Sequence, residues 1–348
     1  MKSINLIIFI LVIFFKTGNV LSSINLFDVN NIEVTNKSSS SNKILANQAI
    51  RKGFNELINR LILKEDVQKL KRLSFVEIKQ LVSYYQMIPG EENLEGNKKF
   101  FNVSFDKGKL HNLFFKIGIS YSNIAKNEFY LLPIFKKNDQ FFIYSQNFFY
   151  EKWNEINQNE LIEFILPIEN IETIQKINMY KDNLVDLDIN EIFKEYKGEN
   201  IALVLIEDTN SPKEKIFLKT NIMSKTLSKN IIISKENLNQ NKFYEKIIIE
   251  IQDEIINLTK SQNLIDVRTP SFINTKLNLD KKKNNLVELN RRLKKIDSIE
   301  NIFVQEFNNQ YVLLKIKYLG KVDKIIEQLK YQKIILTITG ENWSIKII

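Results

Sequence analysis

The chain has 348 residues, 44% of them hydrophobic, and 50 Lys plus Arg against 41 Asp plus Glu give it a formal net charge of +9. That length and apolar content exclude a disordered chain and allow about two or three packed domains. Having Cys 0 and His 1, it has no disulfides, thiolate nucleophile, cysteine-linked lipid or zinc site built on His and Cys.

The basic excess is almost wholly lysine, with arginine only at Arg51, Arg60, Arg72, Arg268, Arg291 and Arg292. Nucleic-acid sites combine arginine clusters with aromatic platforms. No nucleic-acid partner is therefore expected, while a weak attraction to anionic lipid or envelope polymers fits the charge.

Met1-Lys2-Ser3 precedes an apolar run from Ile4 to Phe15 broken only by Asn5, and small or polar residues lead from Lys16 to Ser22. A helix of that run reaches roughly 18 Å, short of a bilayer core of about 30 Å. The pattern predicts a signal peptide over 1–22, cleaved near Ser22, and hence an exported, periplasmic protein. No later stretch approaches the roughly 18 apolar residues of a spanning helix, so no transmembrane segment is expected.

The first domain is expected over 23–122. Leu26 to Val34 reads as a strand, and Ser41 opens a long helix to Lys64 with the stripe Leu45, Ala49, Ile50, Phe54, Leu57, Ile58 and Leu61. Ser74-Phe75-Val76-Glu77 has capping-box spacing and predicts a helix running up to Pro89-Gly90. Lys99 to Phe105 alternates as a strand. Asp106 then caps a short helix that stops at Gly118.

The second domain is expected over 123–263. Strands are predicted at Phe129 to Phe135, Phe141 to Ser145 and Leu161 to Leu166, with a second capping box at Asp188 opening a helix to Gly198. The unbroken run Ile201 to Ile206 predicts a strand buried on both faces. Strands at Lys215 to Asn221 and Asn230 to Ser234 precede a helix of about twenty residues from Lys242, with Tyr244, Ile248, Ile251, Ile255 and Leu258 on one face.

After a linker at Asp266 to Asn274, the third domain, 264–348, reads β-α-β-β-α-β plus a terminal strand. Its strands are Lys276 to Leu279, Asn301 to Phe307, Tyr311 to Tyr318, Ile334 to Thr339 and Trp343 to Ile348, the last two joined at Gly340-Glu341. Its helices are Asn284 to Lys295 and Val322 to Tyr331. The expected class is α/β (α+β) with a ferredoxin-like last domain.

Chemistry-bearing patterns are sparse. His111 sits between Leu110 and Leu113 and reads as a structural histidine, since no G-x-S-x-G elbow accompanies it. No phosphate-cradling glycine loop occurs. Glu169, Asp186 and Asp188 are the carboxylates near strand ends that a hydrolase would use. Asp182 to Asp188 lacks the glycine and closing glutamate of a calcium loop. Phe141, Phe142, Tyr144, Phe148, Phe149, Tyr150 and Trp153 crowd one segment, reading either as core or as a candidate partner-binding patch.

The helix Ala46 to Phe54, with Leu57, Ile58, Arg60 and Leu61, resembles the opening of a group of exported proteobacterial proteins of unknown function. The later landmarks Val103-Ser104-Phe105-Asp106, Tyr130-Leu131-Leu132-Pro133-Ile134, Trp153, Leu166-Pro167-Ile168-Glu169, Gly340 and Trp343 follow in the same order. Where that group has an Asp after Leu-Pro-x-Gly, this chain has Ile168-Glu169-Asn170. The first two domains also resemble those of flagellar-assembly protein T and the amino-terminal domain of TolB. The resemblance implies a periplasmic interaction protein with no known activity. With the leader, the three small α/β units and the sparse chemistry, the expectation is a soluble periplasmic scaffold or adaptor that works by protein–protein contact with envelope proteins, without catalysis or cofactor. A carboxylate-dependent hydrolase of an envelope polymer is the alternative, and a small-ligand binding protein a third reading.

Overall fold

The computed structural model describes residues 26–35, 41–88, 98–124, 127–156, 161–181, 183–196, 200–209, 211–279, 285–339 and 342–348. The expected leader, the Pro89-Gly90 stop, Asp182, Gly198 and the Gly340-Glu341 turn lie outside the described residues. The chain is a mixed α/β protein. Its contacts divide it into two compact units: one comprises residues up to Leu57, Ser74–Lys116 and Asp266–Ile348, and the other Ile58–Leu73 with Ile117–Ile265.

The first unit begins with strand β1 (Asp28–Thr35) and helix α1 (Asn42–Leu61), whose residues from Ile58 on belong to the second unit. Leu45, Ala49, Ile50, Phe54 and Leu57 are buried along α1, as the 3.6-residue stripe requires. At Gly53 an added Cβ would lie 2.6 Å from Cδ1 of Ile32 on β1, so the missing side chain lets helix and strand approach closely. Helix α2 (Lys64–Lys71) belongs to the second unit. Helix α3 (Phe75–Leu81) starts at the expected capping box: Ser74 accepts from the Glu77 amide, and the Glu77 carboxylate accepts from the Ser74 amide.

The helix predicted to continue toward Pro89 instead stops at Leu81, and the chain enters strand β2 (Val82–Met87) directly. Val82, Tyr84 and Tyr85 favour a pleated strand, and pairing with strand β3 (Lys98–Phe105), Tyr85 opposite Val103, decides the outcome. The sheet order is β1-β3-β2, antiparallel throughout. Helix α4 (Lys107–Ile117) follows, with Asp106 Oδ1 accepting from the Lys109 amide at 2.9 Å and Gly118 at φ 71 ending it.

The second unit contains β4 (Tyr121–Ser122), β5 (Asn127–Lys137), β6 (Gln140–Phe142), α5 (Phe148–Lys152), β7 (Ile162–Ile165), α6 (Ile171–Met179) and α7 (Ile189–Ile192). Then come β8 (Asn200–Asp208), β9 (Lys213–Ile222), β10 (Lys225–Ser234), α8 (Gln240–Gln262) and β11 (Leu264–Ile265). The six-stranded sheet runs β10-β9-β8-β5-β6, with β7 beside the start of β5. Strands β7 and β8 are parallel to β5, and the remaining pairs of this sheet are antiparallel. One face packs Leu131, Val204, Ile206 and Leu218 against Ile247, Ile248 and Ile251 of α8. The other packs Leu132, Ile134 and Leu203 against Ile177, Leu187 and Ile192. β8 is thus buried on both faces, as its unbroken apolar run demands.

Three local readings change here. Helix α6 has no counterpart among the predicted elements, although Asn170 caps it, accepting from the Glu172 amide at 2.8 Å. The helix after Asp188 is a single turn rather than a run to Gly198: its cap bond to the Asn190 amide is present, but Phe193 leaves helical geometry. Helix α1 ends at Leu61, where Leu63 turns extended to start α2, and the Lys260 ammonium of α8 takes the freed carbonyls of Asn59 and Ile62.

The last part of the first unit holds β12 (Ser271–Asn278), α9 (Asn285–Leu293), β13 (Ile299–Phe307), β14 (Tyr311–Tyr318), α10 (Val322–Tyr331), β15 (Ile334–Thr339) and β16 (Asn342–Ile347). β12 starts inside the segment read as a linker, because Ser271 to Asn274 pair with Tyr318 to Lys315 of β14. The elements follow the predicted sequence, but the sheet order is β13-β14-β12-β16-β15. A ferredoxin-like sheet would set β15 against β12. Here the terminal strand β16 takes that place, parallel to β12, and moves β15 to the edge. Thr275 Oγ1 donates to the Trp343 carbonyl at 3.1 Å across this pair.

Leu289 and Leu293 of α9 with Ile325 and Leu329 of α10 cover one face of this sheet. Arg292 locks the two helices: its Nη1 donates to the carbonyls of Gln332 (3.1 Å) and Lys333 (3.0 Å), while Nε holds Glu288 at 2.7 Å. This part groups with the first. Lys107 Nζ of α4 donates to the carbonyls of Asp297 (2.6 Å) and Ile299 (3.0 Å), and His111 Nδ1 lies 3.1 Å from Glu300 Oε1.

Candidate functional site

Strand pairing builds a groove on the second unit's sheet, where β5 and β8 end. In register, Lys136 of β5 lies beside Glu207 of β8, Glu207 beside Lys215 of β9, and Lys215 beside Ile232 of β10. The adjacent row on the same face is Ile134, Leu205, Phe217 and Asn230. The floor therefore carries a charged row next to a mostly apolar one. Phe141 of β6 with Lys181, Asn183, Leu184 and Val185 wall a space of about 200 Å³ above it.

The Leu184–Leu187 side of this wall is fixed from below. Lys219 Nζ donates to the carbonyls of Val185 (2.7 Å) and Leu187 (2.9 Å), while Leu184 and Leu187 are buried. Lys136 Nζ stands 3.3 Å from Glu207 Oε1 and 5.7 Å from the Phe141 ring centre. Lys181 and Lys215 are exposed at the rim. Lys136 is shared between Glu207 and Asp139 Oδ1 (3.7 Å), so the positive charge the groove offers against its apolar walls is that of Lys181 and Lys215. Such a site takes an acidic group attached to an apolar body.

On the opposite face at the same strand ends, Lys137 Nζ lies 3.3 Å from Asp208 Oδ2, and the Tyr244 hydroxyl donates to that oxygen at 2.7 Å. Burial and this bond push the Tyr244 phenol well above its ordinary value. Buried Glu214 accepts from the amide and hydroxyl of Thr209, each at 3.0 Å. These groups are consumed in holding the β8–β9 connection to α8.

The aromatic segment is packed rather than presented. Phe149 and Trp153 are fully buried with the α8 core, which Phe142 and Phe148 also join, while Tyr144, Phe141 and Tyr150 pack on the other face. The organiser is Asn147, 0% exposed. Its Nδ2 donates to the carbonyls of Pro133 (2.8 Å), Phe142 (3.0 Å) and Ile143 (2.8 Å). Its Oδ1 caps α5 by accepting from the amides of Phe149 and Tyr150. This one side chain turns the segment inward, and of the candidate patch only Phe141 reaches the groove.

Glu169, Asp186 and Asp188 are exposed, and Asp188 is occupied by the Asn190 amide and side chain. His111 is buried edge-on to Phe27, with ring centres 5.6 Å apart. It joins Lys107 on Glu300, whose carboxyl is held below the usual range first by the His111 hydrogen bond. Among the described residues no group of three or more His, Asp or Glu is placed to hold a metal ion, and no helix is long and apolar enough to cross a membrane. Comparison with protein-family models and with curated proteins finds no match to this chain. Fold and groove together define a mixed α/β protein with a basic, apolar-walled cleft.

Proposed function

We propose that the chain is an exported, periplasmic adaptor that works by binding rather than catalysis. Its partner is an acidic, partly apolar segment of another envelope protein, seated in the groove of the second unit. The observation that carries this reading is the two-row floor, Lys136-Glu207-Lys215 beside Leu205-Phe217, under the rim lysine Lys181. An acidic side chain of the partner would meet Lys215 and Lys181, and its apolar neighbours would cover Phe217 and Phe141. The leader-like start and the resemblance to exported proteins of unknown function support the compartment.

In-cell crosslinking followed by co-purification tests it. The unchanged chain is expected to recover a discrete envelope protein, and the combined variant Lys136→Glu, Lys181→Glu, Lys215→Glu to lose it. Recovery unaffected by these charge reversals, or a monomer that recovers nothing, would contradict the reading.

A further inference from the structure

Among the described residues, the five-stranded sheet of the first unit has helices on one face only. Along β12 and β14 the buried positions Ile273, Thr275, Leu277, Val312, Leu314 and Ile316 face α9 and α10, and the alternate positions are exposed or half-exposed. That open face carries Lys276, Lys315, Lys317 and Lys346, which register places with Phe272, Phe303 and Tyr311. Its acid Glu306 accepts from the Tyr311 hydroxyl at 2.7 Å. The helical face of the same sheet mixes signs, with Glu288, Asp323 and Glu327 among Arg291, Lys324 and Lys330. The segregation of lysine is therefore local to the open face.

We propose that this open face docks on an anionic lipid surface. Lysines set among protruding phenylalanines suit that occupant: each ammonium meets lipid phosphates as a point charge, and Phe303, 46% exposed, enters the headgroup layer. A single-stranded nucleic acid is the other anionic polymer that a flat aromatic sheet could take. It needs open ring faces. Here the Lys315 ammonium covers the Phe272 ring at 4.5 Å and the Lys276 ammonium covers Tyr311 at 4.1 Å. Among its described residues the face also has no arginine fork to read a base.

Vesicle flotation with the mature chain, residues 23–348, tests the proposal, comparing pure phosphatidylcholine with vesicles in which a third of the lipid is phosphatidylglycerol. Binding is expected only to the anionic vesicles and should weaken as salt is raised. The triple variant Lys276→Glu, Lys315→Glu, Lys317→Glu should lose at least about 100-fold in affinity. Lys294→Glu with Lys330→Glu, on the helical face, should bind as the unchanged chain does. Should the triple variant misfold by circular dichroism, Phe303→Trp gives a second reading: its emission should shift to the blue on anionic vesicles alone. No vesicle binding, equal binding by a folded triple variant, unshifted emission from the Phe303→Trp variant, or binding to oligothymidylate in place of vesicles would each overturn it.

Discussion

The two large sheets solve the same burial problem differently. In the second unit, β5 and β8 run parallel and carry apolar residues on both faces, so α8 covers one side while α6, α7, Leu184 and Leu187 cover much of the other. In the first unit, β12 and β14 are antiparallel and alternate, so α9 and α10 on one side suffice. Two kinds of uncovered surface result. The doubly covered sheet leaves a confined groove where its cover stops, at the ends of β5 and β8. The singly covered sheet leaves a broad charged face. A groove selects a segment, whereas a flat face suits an extended surface.

The comparison is broken most severely at Asn147. Asn147→Ala would strip the donor from three carbonyls, two of those bonds buried, and the cap from α5, and is expected to cost about 3 kcal/mol or more. Chemical denaturation read by near-ultraviolet signals of the aromatic segment would measure it. A loss under 1 kcal/mol, on the order of a single ordinary hydrogen bond, would mean that segment is held by other contacts.

A smaller effect belongs to Lys260, whose burial lowers its pKa from 10.5 to about 8. Between those values the unfolded chain holds a proton that the folded chain has released. This group therefore makes stability rise as pH climbs from about 8 toward 10.5, by at most about 3 kcal/mol. The raised phenol of Tyr244 acts with the opposite sign only above its ordinary value of 10.0, where the unfolded chain ionises first. Lys260→Met should flatten the rise between pH 8 and 10, in the range set by that shifted pKa, as followed by thermal melts. An unchanged slope would remove Lys260 as its source.

The smallest expected effect is at Phe303. It projects from the open face, and Phe303→Ser should change stability by no more than about 0.5 kcal/mol while weakening attachment to anionic vesicles. A large destabilisation would show that the face is packed in solution, and the contrast between the sheets would disappear.

Much of this architecture was legible in local pattern. The run Ile201 to Ile206, the alternation of β14, the stripe on α8 and the Ser74-Glu77 box each state their own element, because period and capping chemistry are local. Long-range pairing was not legible. Val82 to Met87 follows a helix without a breaker and becomes a strand only because β3 is there to receive it. Nothing in Trp343 to Ile348 says that this strand will enter between β12 and β15. The groove was invisible for the same reason: Lys136, Glu207 and Lys215 meet only through the registers of β5, β8 and β9. The aromatic cluster is dense, yet the residue that organises it is the plain amide Asn147.

Photocrosslinking in living cells from single positions distinguishes the groove from the open face as the protein-binding surface, with the photoreactive residue placed at Phe217 in the groove or, for comparison, at Phe303 on the open face. A discrete protein adduct is expected from position 217, disappearing when Lys181 and Lys215 are reversed to glutamate, and no such adduct from position 303. The same protein captured equally from both positions, or none from 217, would contradict binding at the groove.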